Sequence, residues 1–252
     1  DVGRGATGTG LHVSKPFLLH FQKATLMDCI LIMQGETPMN ATVFTGDLIG
    51  SREATTEAVE DSLAALSVAA SRAGQRLGTD LRFTRHRGDG WQILLTQPRQ
   101  TLFLCLALLA GLRAADTGLD TRIGIGIDRI ESPGTRDLSD AAGPAFVMAG
   151  DMLHALGAPR RKELVLLGGG GAQPWHNAVV ALVDWIARGW TPEQAEALSL
   201  VLLETGQDTN AKRAERLGIS RQAFESRLKG TGHDALAVAR SAFEAHDFEG
   251  TP

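Results

Sequence analysis

The chain has 252 residues, 43% of them hydrophobic and 21% charged, with a formal net charge of −4. That length is ample for a buried core in one large or two small domains, and the acidic balance gives no global reason to expect nucleic acid, so any basic surface has to be local. Only Cys29 and Cys105 occur, with no Cys/His cluster at zinc spacing, which argues against a disulfide framework or a structural zinc and fits a reducing cytoplasm. Residues 1–38 show no clean period and read as an N-terminal extension before a fresh start at Met39. Their short apolar stretch LMDCILIM lacks a signal-peptide cleavage pattern.

From Met39 the apolar pattern becomes regular. Residues 41–45 (ATVFT) predict a buried strand, and 55–77 carry helix-spaced Ala, Val and Leu without an internal Pro. Two strands are expected over 81–87 and 91–96, joined by Gly88-Asp89-Gly90, a hairpin signal. Pro98 opens an apolar helix to about residue 116; its TLFLCLALLAGL run is too short for a bilayer, which needs ~20 residues, and predicts a buried helix instead. A strand over 122–127 (RIGIGI), a helix over 141–156 and a strand over 163–167 (ELVLL) follow. The order β-α-β-β-α-β-α-β predicts an α+β, ferredoxin-like or palm domain over 39–167, with helices on one face of a mostly antiparallel sheet. The run Gly168-Gly169-Gly170-Gly171 predicts a linker over 168–174. Beyond it, 175–252 read as an all-α domain: a helix over 175–188, one opened by Thr191-Pro192 and running to about residue 204, two short helices and a tail helix. Trp175, Trp185 and Trp190 are expected in its core, with His176 and His233 in surface or packing roles.

Two acids stand out. Asp47 interrupts an apolar run just before a glycine turn, and Asp89 sits in the hairpin turn; a palm sheet brings these two places together. Paired carboxylates suit Mg²⁺ or Mn²⁺, which keep several positions for water and phosphate oxygens. The turn Leu48-Ile49-Gly50-Ser51 would then offer its amides to the phosphates. Against this, an Asp beside a Gly also serves turn geometry alone.

These residues carry a family resemblance. FTGDLIG (44–50), RGDGW (87–91) and RIGI (122–125), in that order, resemble the core of class III nucleotidyl cyclases, whose two metal-binding aspartates match Asp47 and Asp89. GDLIGSR (46–52), RGDGWQILL (87–95), RIGIGID (122–128) and GPAF (143–146), followed by a helical tail, resemble the bacterial SatD family over about residues 41–229. The resemblance implies a nucleotide ligand, a homodimer, and base-reading roles for Arg85 and Asp140. It departs from the cyclases where their transition-state Asn and Arg align with Val147 and Asp151. It therefore implies metal and nucleotide binding more than cyclisation, although Arg160-Arg161-Lys162 could supply cations. Active cyclisation or nucleotidyl transfer, with the helical domain serving assembly, is the alternative. A palm kept only for oligomerisation is a third.

Residues 207–229 (QDTNAKRAERLGISRQAFESRLK) have helix-turn-helix spacing: Gly218 at the turn, Ile219 plugging the angle, Ser220 capping the second helix. The segment resembles the helix-turn-helix of sigma-like and LuxR-like modules. From Asn210 to Lys229, six positive residues stand against Glu215 and Glu225, a local charge of +4. DNA contact would place Arg221, Gln222 and Glu225 at base edges and Lys212, Arg213 and Arg227 at phosphates. A protein-binding or dimerisation module is the alternative. The whole reads as a regulator in which a nucleotide- and Mg²⁺-binding domain is coupled to a DNA-binding one.

Overall fold

The structure, a computed structural model, describes residues 40–86, 88–135, 137–158, 162–206 and 208–248. The expected extension over 1–38, Arg160 and Arg161 lie outside the described residues. In chain order come β1 (Asn40–Ile49), α1 (Thr56–Leu77), β2 (Thr84–His86), β3 (Gly90–Leu95), a 3-10 turn (Pro98–Gln100), α2 (Thr101–Ala114), β4 (Asp120–Arg129), α3 (Pro144–Leu156) and β5 (Val165–Gly168). A C-terminal all-helical region follows: α4 (Pro174–Ala187), α5 (Pro192–Leu203), α6 (Asn210–Arg216), α7 (Arg221–Gly230) and α8 (His233–Ala245). The fold is α+β, with the expected order of strands and helices.

The strands form one mixed sheet, β2-β3-β1-β4-β5, antiparallel except for β4 with β5. Period-two alternation assigns its faces. Phe44 and Leu48 of β1, Trp91 and Ile93 of β3, and Ile123, Ile125 and Ile127 of β4 join the main core, with α1 and α2 packed against them. Ala41 and Val43 point the other way, against Ala145 and Ala149 of α3. Helices thus cover both faces, where one covered face was expected. The reason is Gly124 and Gly126 on β4. A Cβ on Gly124 would lie 2.2 Å from the Ala149 carbonyl oxygen, and one on Gly126 2.2 Å from that of Ala145, so only glycine lets α3 lie this close.

The apolar segment TLFLCLALLAGL becomes α2, whose Leu102–Leu108 run is buried throughout. A helix that is apolar all round needs cover all round. Here the sheet, α1 and α5 supply it, and no helix among the described residues is long and apolar enough to cross a membrane. The main core continues past α2 to Val180, Val183, Leu198, Leu202, Leu236 and Phe243, so the helical region shares it. Gly168, the first residue of the expected linker, closes β5, and the next glycines lie along β4: Gly171 N donates to the Ile127 carbonyl at 3.1 Å and Gly170 N to the Asp128 carboxylate at 3.0 Å. β5 is an edge strand and α4 guards it. Asp184 accepts from Leu164 N and Asn177 from Leu167 N, both at 2.9 Å, which occupies donors that an exposed edge would offer to another chain.

Candidate functional site

Strand register builds the site. β1 pairs with β3 only as far as Gly46, opposite Trp91, but with β4 to its end, Ile49 opposite Asp120. Asp47 therefore lies within β1, which outruns the strand expected over 41–45 because the β4 ladder carries it to Ile49. Gly46 is required: a Cβ there would lie 2.4 Å from the indole of Trp91, which fills the space beneath β1 and donates to Thr121 Oγ1 at 3.1 Å. Past β1, Gly50 turns the chain with φ +81°, and its carbonyl accepts from Glu53 N and Ala54 N before Thr55 caps α1.

Beyond this turn lies an open cleft of about 760 Å³, lined by Asp47 to Ala54, by Thr56, Val59 and Glu60 of α1, by Arg85, Gly88 and Asp89, and by Arg122. The size suits a small-molecule ligand, ~300–1,000 Å³ being typical. Asp47 and Asp89, expected to be neighbours, do line one cleft, together with Ile49, Gly50, Ser51 and Arg85. Leu48 lines it too, but its side chain is core. Asp140 is not in this wall: it caps its own loop, accepting from Thr135 N at 3.0 Å and Thr135 Oγ1 at 2.6 Å, and those bonds hold its carboxyl below the usual range.

Sequence reasoning missed Arg122 and Glu60. Arg122 stands opposite Asp47 in the ladder and grips both its carboxylate oxygens, Nε to Oδ1 at 2.9 Å and Nη2 to Oδ2 at 2.5 Å. This pairing, then the nearby Asp89 charge, holds the guanidinium more firmly protonated than usual. Arg85 makes a second fork with Glu60, both bonds 2.8 Å, and donates Nε to the Gly88 carbonyl at 2.8 Å; the fork lowers the Glu60 pKa. Ser51 donates to Asp89. The signal for Arg122 was alternation in RIGIGI: three isoleucines toward the core put Arg122, Gly124 and Gly126 on the opposite face.

Two carboxylates beside a hydroxyl-bearing turn are the kind of donor set Mg²⁺ accepts with water and phosphate completing its shell. No cluster of three or more His, Cys, Asp or Glu suited to a metal occurs among the described residues, so protein ligands alone do not make a closed cage. Val147 and Asp151 are exposed on the outer face of α3. Lys162 accepts at its carbonyl from Arg188.

At the other end, α6 and α7 are joined by Leu217-Gly218-Ile219-Ser220, with Gly218 at φ +65°, Ile219 N bonded to the Ala214 carbonyl at 3.0 Å, and Thr209 and Ser220 as N-caps. Ala197 of α5, Ala214 and Phe224 form their core, with Ile219 and Leu228 against it. Lys212, Arg221 and Gln222 are exposed. Arg213 is tied to Glu204 at 2.8 Å with 13% of its side chain exposed, Arg227 lies 3.6 Å from Glu196, and Arg221 donates Nε to Glu225 Oε1 at 2.7 Å. Glu204 and Asp208 also hold Arg216, and Asp208 pairs with Lys212. Counting these three outside acids, the local charge of +4 falls to +1. Trp190 is buried as expected, but Trp185 is 71% exposed and Trp175 37%, while His176 is wholly buried. No family model, curated protein or solved structure matches this chain.

Proposed function

We propose that the cleft binds a nucleotide, most simply a nucleoside triphosphate, with Mg²⁺ or Mn²⁺ held by Asp47 and Asp89, and that α6 and α7 form a DNA-binding helix-turn-helix responsive to it. The carrying observation is that Asp47 of β1 and Asp89 of the β2–β3 turn line one cleft, beside the Gly50-Ser51 turn, Arg85 and Arg122. The sheet order β2-β3-β1-β4 is that of a split βαβ, which supports the palm reading and with it the cyclase-like and SatD-like resemblance. The bound metal would neutralise phosphate charge. The chain's own residues do the rest: Arg122 and Arg85 offer planar forks to phosphate oxygens, Ser51 offers a hydroxyl, and the turn fixes the mouth of the cleft.

Coupling is supported by α1, a single helix about 33 Å long at 1.5 Å per residue. Its first turns carry Glu60 at the cleft; its last carries Arg76, which donates to the Glu204 carbonyl and lies over Phe103. The Glu204 carboxylate in turn anchors Arg213 and Arg216 of α6. A ligand that shifts α1 therefore has a mechanical route to the helix pair. On α7, Gln222, Ser226 and Lys229 face outward, which leaves a polar surface available to a groove.

The test is binding of each nucleoside triphosphate with and without Mg²⁺, followed by mass analysis of products. Metal-dependent affinity that falls in Asp47→Asn and Asp89→Asn supports the reading; affinity indifferent to metal overturns it. A cyclic product would move the protein to the enzymatic alternative. DNA titrations with and without saturating nucleotide test the coupling, since a difference must be reciprocal.

A further inference from the structure

We propose that Arg122 is a resident counter-cation for Asp47, and that a divalent cation enters the cleft only together with a polyphosphate that draws the guanidinium away. The ligand class is then a metal-bound di- or triphosphate, and free metal is excluded. This rests on the metal reading of Asp47 and Asp89 and says how that site is controlled.

Both oxygens of Asp47 are already accepting from Arg122, in the two-bond geometry that Arg and carboxylate favour. The arrangement is imposed by the backbone. Asp47 and Arg122 are directly opposed in the β1/β4 ladder, while their neighbours Leu48 and Ile123 are sunk in the core, so neither side chain can turn to the other face without unpairing the central strands. Asp89 also acts on Arg122 through its charge. The guanidinium thus lies in the field of both acids that a metal would use. A divalent cation and Arg122 compete for the same charge, since like charges a few ångströms apart repel strongly wherever water is partly excluded.

The pair is nonetheless accessible, with 32% of the Arg122 side chain and 27% of Asp47 exposed. A buried pair would be locked; this one can exchange partners. What a polyphosphate adds is two-sided: oxygens that accept the Arg122 fork, and oxygens that complete the shell of a metal on the vacated carboxylate. The cleft as a whole carries four carboxylates against three guanidiniums, so its residual charge is too small to hold a free divalent ion against Arg122.

The experiment measures Mn²⁺ binding by the loss of its free-ion paramagnetic resonance signal, with Mn²⁺ alone and with Mn²⁺ plus inorganic tripolyphosphate. It uses the full chain, Arg122→Gln, Arg122→Lys and Asp47→Asn. The full chain should bind Mn²⁺ alone weakly and Mn²⁺ with tripolyphosphate well. Arg122→Gln should bind Mn²⁺ alone at least about tenfold more tightly and lose affinity for the tripolyphosphate complex, and Asp47→Asn in the same background should abolish the gain. Arg122→Lys keeps the charge without the fork and should fall between; it also answers for the site if the Gln variant fails to fold. Arg122 variants that bind Mn²⁺ no more tightly, while the full chain takes up the tripolyphosphate complex, overturn the latch and leave the metal reading standing. Absence of Mn²⁺ uptake in every arm overturns both.

Discussion

The cleft and the α6–α7 surface are both laced with ion pairs, but of different kinds. In the cleft the partners are far apart in sequence, 75 residues for Asp47 and Arg122, and strand register brings them together in a concavity. Around α6 the partners are nearly local: Glu204, Asp208 and Asn210 hold Arg213 and Arg216 within 12 residues, and none of them lines that cleft. A pair in a cleft, 32% and 27% exposed, can be replaced by a ligand that satisfies both halves, whereas Arg213 and Glu204, 13% and 14% exposed between neighbouring helices, mainly hold those helices in place. The same chemistry therefore makes a latch in one region and a brace in the other. A raw charge of +4 over a segment says little about surface potential when its neighbours supply the acids.

The largest test of this contrast is Phe224→Ala. The ring is fully buried between α5, α6 and α7, and its removal should cost about 3–5 kcal/mol. Hydrogen exchange should show α6 and α7 losing protection while β1 and β4 keep theirs. If the strands weaken in step, the helix pair is not a separable surface and the comparison fails. The next effect comes from His176, whose imidazole is pushed down to about 4 by burial and then by the neighbouring His246. Its Nδ1 accepts from Gln173 N at 2.8 Å and its ring is packed among Trp175, Phe243 and Phe248, so protonation would break the start of α4 and bury a charge. The folded-state value lies below the ordinary 6.5, so the stabilisation is whole above pH 6.5 and is lost as pH falls toward 4 and below, at most roughly 3 kcal/mol at 1.36 kcal/mol per unit. Urea titrations of the full chain and His176→Gln from pH 7 to 4 should show the slope flattening in the variant.

Gly46→Ala probes the other side. Its methyl would press on the Trp91 indole and on the Arg122 carbonyl, 2.7 Å away, beneath the very pair that forms the latch. Overpacking of this kind costs about 1–3 kcal/mol. A lowered melting temperature together with lost tripolyphosphate binding is expected. Full ligand binding in a well-folded variant would mean that the register of β1 does not set the site.

The order of elements was legible because each carries its own period or cap: helix spacing in 55–77, Thr191-Pro192, Gly88-Asp89-Gly90. Convergence of Asp47 and Asp89 followed from that order. What stayed hidden depended on partners distant in sequence. Arg122 reads as the first residue of an apolar strand until β4 is laid against β1. Gly124 and Gly126 read as flexible positions until α3 is placed over them, and four consecutive glycines read as a linker although Gly169, Gly170 and Gly171 lie close against β4 and Gly168 against Met148 and Met152 of α3. Trp185 reads as a core residue in the sequence, but it falls on the side of α4 away from Val180 and Val183.

The smallest effect is the sharpest about DNA. Arg221 and Glu225, one turn apart on α7, are 68% and 40% exposed, and an exposed pair at this spacing contributes about 0.3–0.5 kcal/mol. Breaking it should barely move stability, yet it should alter DNA affinity in a defined direction. Glu225→Gln removes a negative charge from the outward face and frees Arg221, so a helix that enters a groove should bind more tightly and with a steeper salt dependence. Arg221→Ala should do the reverse, and the double variant should return near the single Arg221 loss, because Glu225 acts mainly by occupying Arg221. Fluorescence anisotropy with genomic fragments at several salt concentrations, beside melting curves, separates the two readouts. If neither substitution changes binding or its salt slope while stability stays within half a kilocalorie per mole, α7 does not face DNA and the helix pair is a brace like its ion pairs.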